Sequence, residues 1–205
     1  MSAETGRRGF LALALTPLLP RLARADEPGE RIAAAAEAQV GVVTLYDPAY
    51  VALDFPGGDV APERGVCTDV LVRALRVAER IDLQAAVNAD MKADFAAYPA
   101  LWGLKRTDRN IDHRRVPNLR RLLERTGADL PGDADFLPGD VITCTIPGDL
   151  AHLMIVANAR AGGRQMIVHN IGRGTQVEDR LEEFPRTGHY RLSPPVLDRL
   201  RRLSA

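Results

Sequence analysis

The sequence predicts an α+β fold, with helices in the first two thirds of the chain and an antiparallel sheet in the last third. Three observations carry this. Between 67 and 81 the apolar residues Val70, Leu71, Ala74, Leu75 and Ala78 recur at spacings of three and four, the period of a helix with one buried face. Three β-rich segments, DVITCTI, AHLMIVAN and QMIVHNI, follow one another from 140 to 171, separated by Pro147-Gly148 and by Ala161-Gly162-Gly163. Short glycine-bearing connections of that kind read as hairpins. Helical and strand-like segments do not alternate, which argues against a parallel α/β sheet.

Taken in order, residues 1–25 read as a secretory signal: GRRGFLALALTPLLP joins an arginine pair to a short apolar run, and Ala23-Arg24-Ala25 supplies small residues for cleavage. The run is too short to span a bilayer. Arg7-Arg8-Gly9-Phe10-Leu11 resembles a twin-arginine signal, although Gly6 stands where Ser or Thr is usual; a general secretory signal is the alternative. An exported bacterial protein with no transmembrane segment in its mature part is expected. EPGERIAAAAEAQVG then reads as a helix stopped at Gly41. VVTLYDPAYV reads as a short strand and a turn, and LDFPGGDVAPERG as loop. A helix is expected from Cys67 to about Ile81 and a second from about Leu83 to Tyr98, ending before Pro99. LWGLKRTDRNIDHRRVP is irregular, and PNLRRLLERTG is a helix with Pro117 in its first turn. After the three strands, HYRL is a further strand and PPVLDRLRRLSA a terminal helix. Residues 26–205 form one domain.

Acidic and basic residues balance at 27 each, so no charge excess points to nucleic acid or an anionic membrane surface. Two cysteines do not make a disulfide framework. Cys144, inside a β-rich run, reads as a buried inert thiol. Cys67 stands at a helix start, where free N–H groups and the positive end of the dipole favour a thiolate. Its own N–H is placed to help hold an oxyanion. Its competing readings are a small buried hydrophobe and a disulfide to Cys144. His152 opens one strand and His169 lies near the end of the next. In an antiparallel hairpin those positions are neighbours, so one imidazole acts on the thiol while the other orients it. Asn170 is an alternative orienting group, but strand alternation turns it away from the face of His169. His113 and Arg114, in the charged stretch NIDHRRVP, read either as a solvated loop or as a substrate-binding lip that grips a carboxylate. Tyr98 and Trp102 read as packing anchors or groove walls. No CxxC, HxxxH or HExxH spacing supports a metal site, and no cofactor is expected.

The order of Cys at a helix start, His opening a strand and His on the following strand resembles the NlpC-type papain-like cysteine peptidases of bacterial cell walls. HLMIV at 152–156, IVHN at 167–170 and PGDVI at 138–142 are similar to the hallmark strands of that group. More closely, LDFPGGDV, RGVCTDV, DMKADF, WGLKRTDRNIDHRRVPNL, LPGDVI, VHNIG and GHYR resemble the bacterial family called domain of unknown function 1287. The chain departs from the NlpC pattern at Val66-Cys67-Thr68-Asp69, where Asp-Cys-Ser-Gly is usual, and at Phe55, where a tyrosine usually precedes the Gly-Gly pair. Residues 82–137 are an insertion relative to a minimal NlpC domain. The resemblance implies a papain-like hydrolase cleaving an amide bond, in peptidoglycan or a peptide, with Cys67, His152 and His169 as the catalytic group. Asp69, beside the nucleophile, joins His113, Arg114 and Asn170 as candidate substrate contacts. A non-catalytic wall-binding or peptide-binding protein and a thioester acyltransferase are the alternatives.

Overall fold

The computed structural model describes residues 27–205, so the expected signal at 1–25 lies outside the described residues. The elements run α1 (Pro28–Glu37), β1 (Leu45–Tyr46), β2 (Arg64–Gly65), α2 (Cys67–Glu79), α3 (Leu83–Ala93), α4 (Val116–Arg125), β3 (Val141–Ile146), β4 (Leu150–Ala161), β5 (Arg164–Asn170), β6 (Thr175–Glu178), β7 (Arg186–Tyr190) and α5 (Pro194–Leu203). α1 to α4 precede the five consecutive strands of the main sheet and α5 follows them, and the fold is α+β. β1 and β2 form a small parallel pair, and the main sheet has the order β6-β5-β4-β3-β7 with every pairing antiparallel.

Local chemistry explains the helix bounds. α1 and α5 each begin with proline at the first turn, where its missing N–H costs nothing. α2 ends at Arg80, whose φ of 55° breaks the helical ladder. The helix expected to reach Tyr98 stops at Ala93, because Asp94 leaves helical geometry at φ −151°; a single 3-10 turn, Phe95–Ala97, follows. A second such turn, Asp112–Arg114, lies inside the irregular stretch.

Each strand of the sheet sorts its residues onto two faces. Val141, Leu153, Ile155, Ala157 and Val168 pack against α1–α5 in the larger core, together with Cys67, Leu71, Leu75, Leu119 and Leu200. Ile142, Cys144, Met154, Val156 and Ile167 form a second cluster on the other face, covered by Phe136, Leu181 and Phe184. Leu83, Val87, Met91, Leu119, Leu122 and Leu123 all belong to the larger core, so the 82–137 stretch is integral to the fold. α1 is held down by a backbone crossing: a Cβ at Gly139 would lie 2.3 Å from the carbonyl oxygen of Gly29, and Gly139 has φ +82°. Only glycine fits there.

Candidate active site

α2 begins at Cys67 because the preceding residue, Val66, is extended and the Asp69 carboxylate accepts the Val66 N–H at 2.7 Å, closing the first turn. Asp69 is itself buried and pairs with Arg114 Nε at 3.0 Å and Nη2 at 3.0 Å. The rest of the Arg114 guanidinium donates to the carbonyls of Ala49 (3.1 Å) and Asp47 (2.9 Å), while Thr68 Oγ1 donates to the Arg114 carbonyl at 3.0 Å. Asp69 and Arg114 therefore act on each other and on the backbone around Cys67, and four of the five Arg114 N–H groups are taken, leaving one on Nη1 and no free fork for a carboxylate. His113 is buried too; burial holds it down at about 4, and its Nδ1 has no partner. A lip of His113 and Arg114 over the groove is not what the chain builds, because the 3-10 turn carrying them packs inward against α2, α3 and α4. Asn170 is equally occupied: its Nδ2 donates to the Gly65 carbonyl at 3.0 Å, two residues before the cysteine, and its Oδ1 accepts the Gly172 N–H.

The histidines come together. His152 Nε2 lies 2.9 Å from His169 Nδ1, and His169 Nε2 lies 2.7 Å from Glu178 Oε2. Burial pushes Glu178 up, but the His169 hydrogen bond and Arg180 outweigh it and keep the carboxylate ionised. An ionised carboxylate only accepts, so His169 carries its proton on Nε2. Burial keeps His169 neutral against the pull of Glu178, which leaves its Nδ1 as an acceptor. The proton in the 2.9 Å contact then belongs to His152 Nε2. Burial, with lesser contributions from His169 and Arg180, holds His152 down to about 3, so it too is neutral, and its bare lone pair is on Nδ1. Among the described residues no hydrogen bond occupies that nitrogen. The chain of three therefore fixes which nitrogen of His152 can accept a proton.

By alternation His152 shares the face of Met154 and Val156, whereas Cys67 belongs to the helix side. What links them is the backbone of β4, not a side-chain contact. β5 pairs with β4 from Ile155 onward, and the N–H of Leu153, the residue after His152, reaches the Cys67 thiol, as does the N–H of Thr68. No direct hydrogen bond joins Cys67 to His152. Burial pushes the Cys67 thiol up to about 12, opposed by those two N–H groups and reinforced by Asp69 and Cys144. From an ordinary 9.0 that rise is worth about 4 kcal/mol, against ~0.3–1 kcal/mol for a helix dipole, so the thiol rests neutral. The preformed thiolate expected from the helix start is absent for this reason. Both cysteines are free; Cys144 sits on the opposite face of the sheet from Cys67, opposite His152 in register.

Two positions beside these residues escape a sequence reading. Glu178 lies on β6, a four-residue strand whose alternation TQVE is too short to stand out, and only its register with β5 brings it to His169. Tyr46, on β1, lines a groove of about 350 Å³ with Cys67, Trp102, Arg115, Pro117 and Leu150. Burial raises its phenol, with Cys67 and Asp69 adding to the rise, so it is a neutral O–H donor. Among the described residues no group of three metal-ligating side chains is assembled, and no helix is long and apolar enough to cross a membrane.

The family described as Domain of unknown function (DUF1287) matches residues 33–192. The chain belongs to this family. It is 47% identical over 164 residues to the Uncharacterized protein YijF of Escherichia coli (strain K12), covering 78% of this chain and 80% of that protein. NlpC1 from Trichomonas vaginalis aligns with 80% of this chain at 17% identity and a TM-score of 0.43, and this chain spans 44% of that structure. The match to the DUF1287 family takes in Cys67, His152, His169 and Glu178 alike.

Proposed function

We propose that this DUF1287 protein is an exported cysteine hydrolase that cleaves an amide bond, with peptidoglycan as its substrate. The observation that carries this reading is the Glu178–His169–His152 chain, which leaves His152 Nδ1 without a partner among the described residues, one residue before the Leu153 N–H that reaches the Cys67 thiol. In the reaction, Cys67 Sγ forms a bond to the amide carbonyl carbon as its proton passes to His152 Nδ1. The oxyanion is held by the Cys67 N–H and the Tyr46 hydroxyl. The C–N bond breaks as His152 returns the proton to the leaving amine, giving a thioester. Water, deprotonated by His152, then attacks the thioester and restores the thiol. Because thiol and imidazole both rest neutral, charge separation waits for bound substrate, and it requires the Cys67 thiol and His152 Nδ1 to come within hydrogen-bond reach.

The buried, neutral thiol is also what a non-catalytic groove would show, so a binding protein for wall peptides is the second reading. Mass spectrometry of peptidoglycan incubated with wild type and with Cys67→Ala separates the two. New amide-cleavage fragments in the wild-type digest alone support the hydrolase, and identical digests overturn it. Added amine that is incorporated into the fragments in place of water would mark an acyltransferase.

A further inference from the structure

Two arginines line the groove at Cys67, and they differ in what their donors do. Arg114 spends four of its five N–H groups on Asp69 and two backbone carbonyls, so no pair of adjacent donors stays open on it. Arg115 makes one side-chain hydrogen bond, from Nη1 to Asp112 Oδ1 at 3.1 Å, and its Nε and Nη2 have no partner among the described residues. Its guanidinium carbon lies 4.0 Å from the centre of the Trp102 ring. A guanidinium stacked on an indole and tethered at one nitrogen has lost most of its rotational freedom before any ligand arrives. Its remaining edge presents two N–H groups in the fork that matches a carboxylate. The surrounding wall is apolar: Leu101, Trp102 and Leu150 are exposed, at 65%, 39% and 59%, on the same groove. The acid that lines the groove, Asp149, sits on the β3–β4 turn at φ 57° and makes no side-chain bond to Arg115.

We infer that Arg115, stacked on Trp102, is the carboxylate-binding element of the Cys67 groove, and that the groove takes acyl or peptide ligands bearing a free carboxylate beside an apolar group. Arg115 is the specificity-determining residue and Trp102 positions it. The inference builds on the proposed hydrolase only in making the bound carboxylate part of its substrate; binding itself does not require Cys67 to react.

The chain contains a single tryptophan, so intrinsic fluorescence reports directly on this groove. The test titrates the protein with N-acetylleucine and, separately, with its carboxamide. The carboxylate is expected to change Trp102 emission saturably and to bind at least about 10-fold more tightly than the carboxamide, as a charge-assisted bidentate pair requires. In Arg115→Gln the two ligands converge to within about 2-fold, while Cys67→Ala retains the wild-type preference. Equal responses to both ligands in the unmodified protein, or no saturable response to either, overturn the inference without any variant having to fold. A preference that survives in Arg115→Gln also overturns it. Loss of peptidoglycan turnover does not enter these outcomes, so failure of the hydrolase reading and failure of the carboxylate site are distinguishable.

Discussion

At the scale of single residues, the site is a matter of proton bookkeeping. Glu178 sets the tautomer of His169, and His169 sets that of His152. Glu178→Gln offers an amide that both donates and accepts, so the chain loses its direction. We expect kcat to fall by about 10–100-fold with KM little changed, with partial recovery in Glu178→Asp. The corresponding nitrogen shifts of His152 Nδ1 in NMR spectra should broaden or move. Tyr46→Phe removes one oxyanion donor and should lower kcat by roughly 100-fold, again with little effect on KM. The pH dependence follows from the two neutral partners. With burial holding His152 down to about 3, the base stays unprotonated through mild acid, and the acid limb of kcat/KM should lie well below the usual histidine range. Alkylation of Cys67 in the ligand-free protein should instead climb steadily with pH, because the thiol is pushed up to about 12. Rapid alkylation at pH 5–6, tracked by mass spectrometry, would show that the resting thiol is ionised after all.

At the scale of elements, Cys67 is positioned by the start of α2 and by what braces it. The Asp69–Arg114 pair ties that start to the Asp112–Arg114 turn and to the Asp47–Ala49 carbonyls. Arg114→Ala leaves the Asp69 carboxylate buried without a counter-charge, and removal of one partner of a buried pair costs about 3–5 kcal/mol. Chemical denaturation should show that loss as a lower midpoint. A change in KM at unaltered stability would return Arg114 to a substrate-binding role. The helix start, the two histidine strands and their hairpin were legible from residue spacing alone. The turn that carries His113 and Arg114 inward was not, because a charged stretch such as NIDHRRVP does not reveal which of its charges have buried partners.

At the scale of the whole molecule, the fold buries neutral histidines, and that makes stability depend on pH. His113 has its folded value lowered to about 4, so above the unfolded value of about 6.5 it is neutral in both states and contributes nothing to the slope. Below it the unfolded chain takes up a proton that the native state refuses, and stability falls as pH drops from about 6.5 towards 4, by up to ~3 kcal/mol for this residue. Urea midpoints measured across that window should decline, and the decline should be shallower in His113→Leu, which replaces a ring whose Nδ1 has no partner. The sequence by itself determined the α+β class, the helix that begins at Cys67 and the hairpin that makes His152 and His169 neighbours, because periodicity and turn residues are local properties. Only the tertiary structure decided that Glu178 completes the histidine chain, that Tyr46 faces the thiol's groove, and that Arg115 and not Arg114 keeps a pair of adjacent open donors there. It also decided that Cys67 rests as a neutral thiol. Those facts depend on strand register, burial and the competition among distant partners for the same hydrogen bonds, which spacing along the chain does not encode.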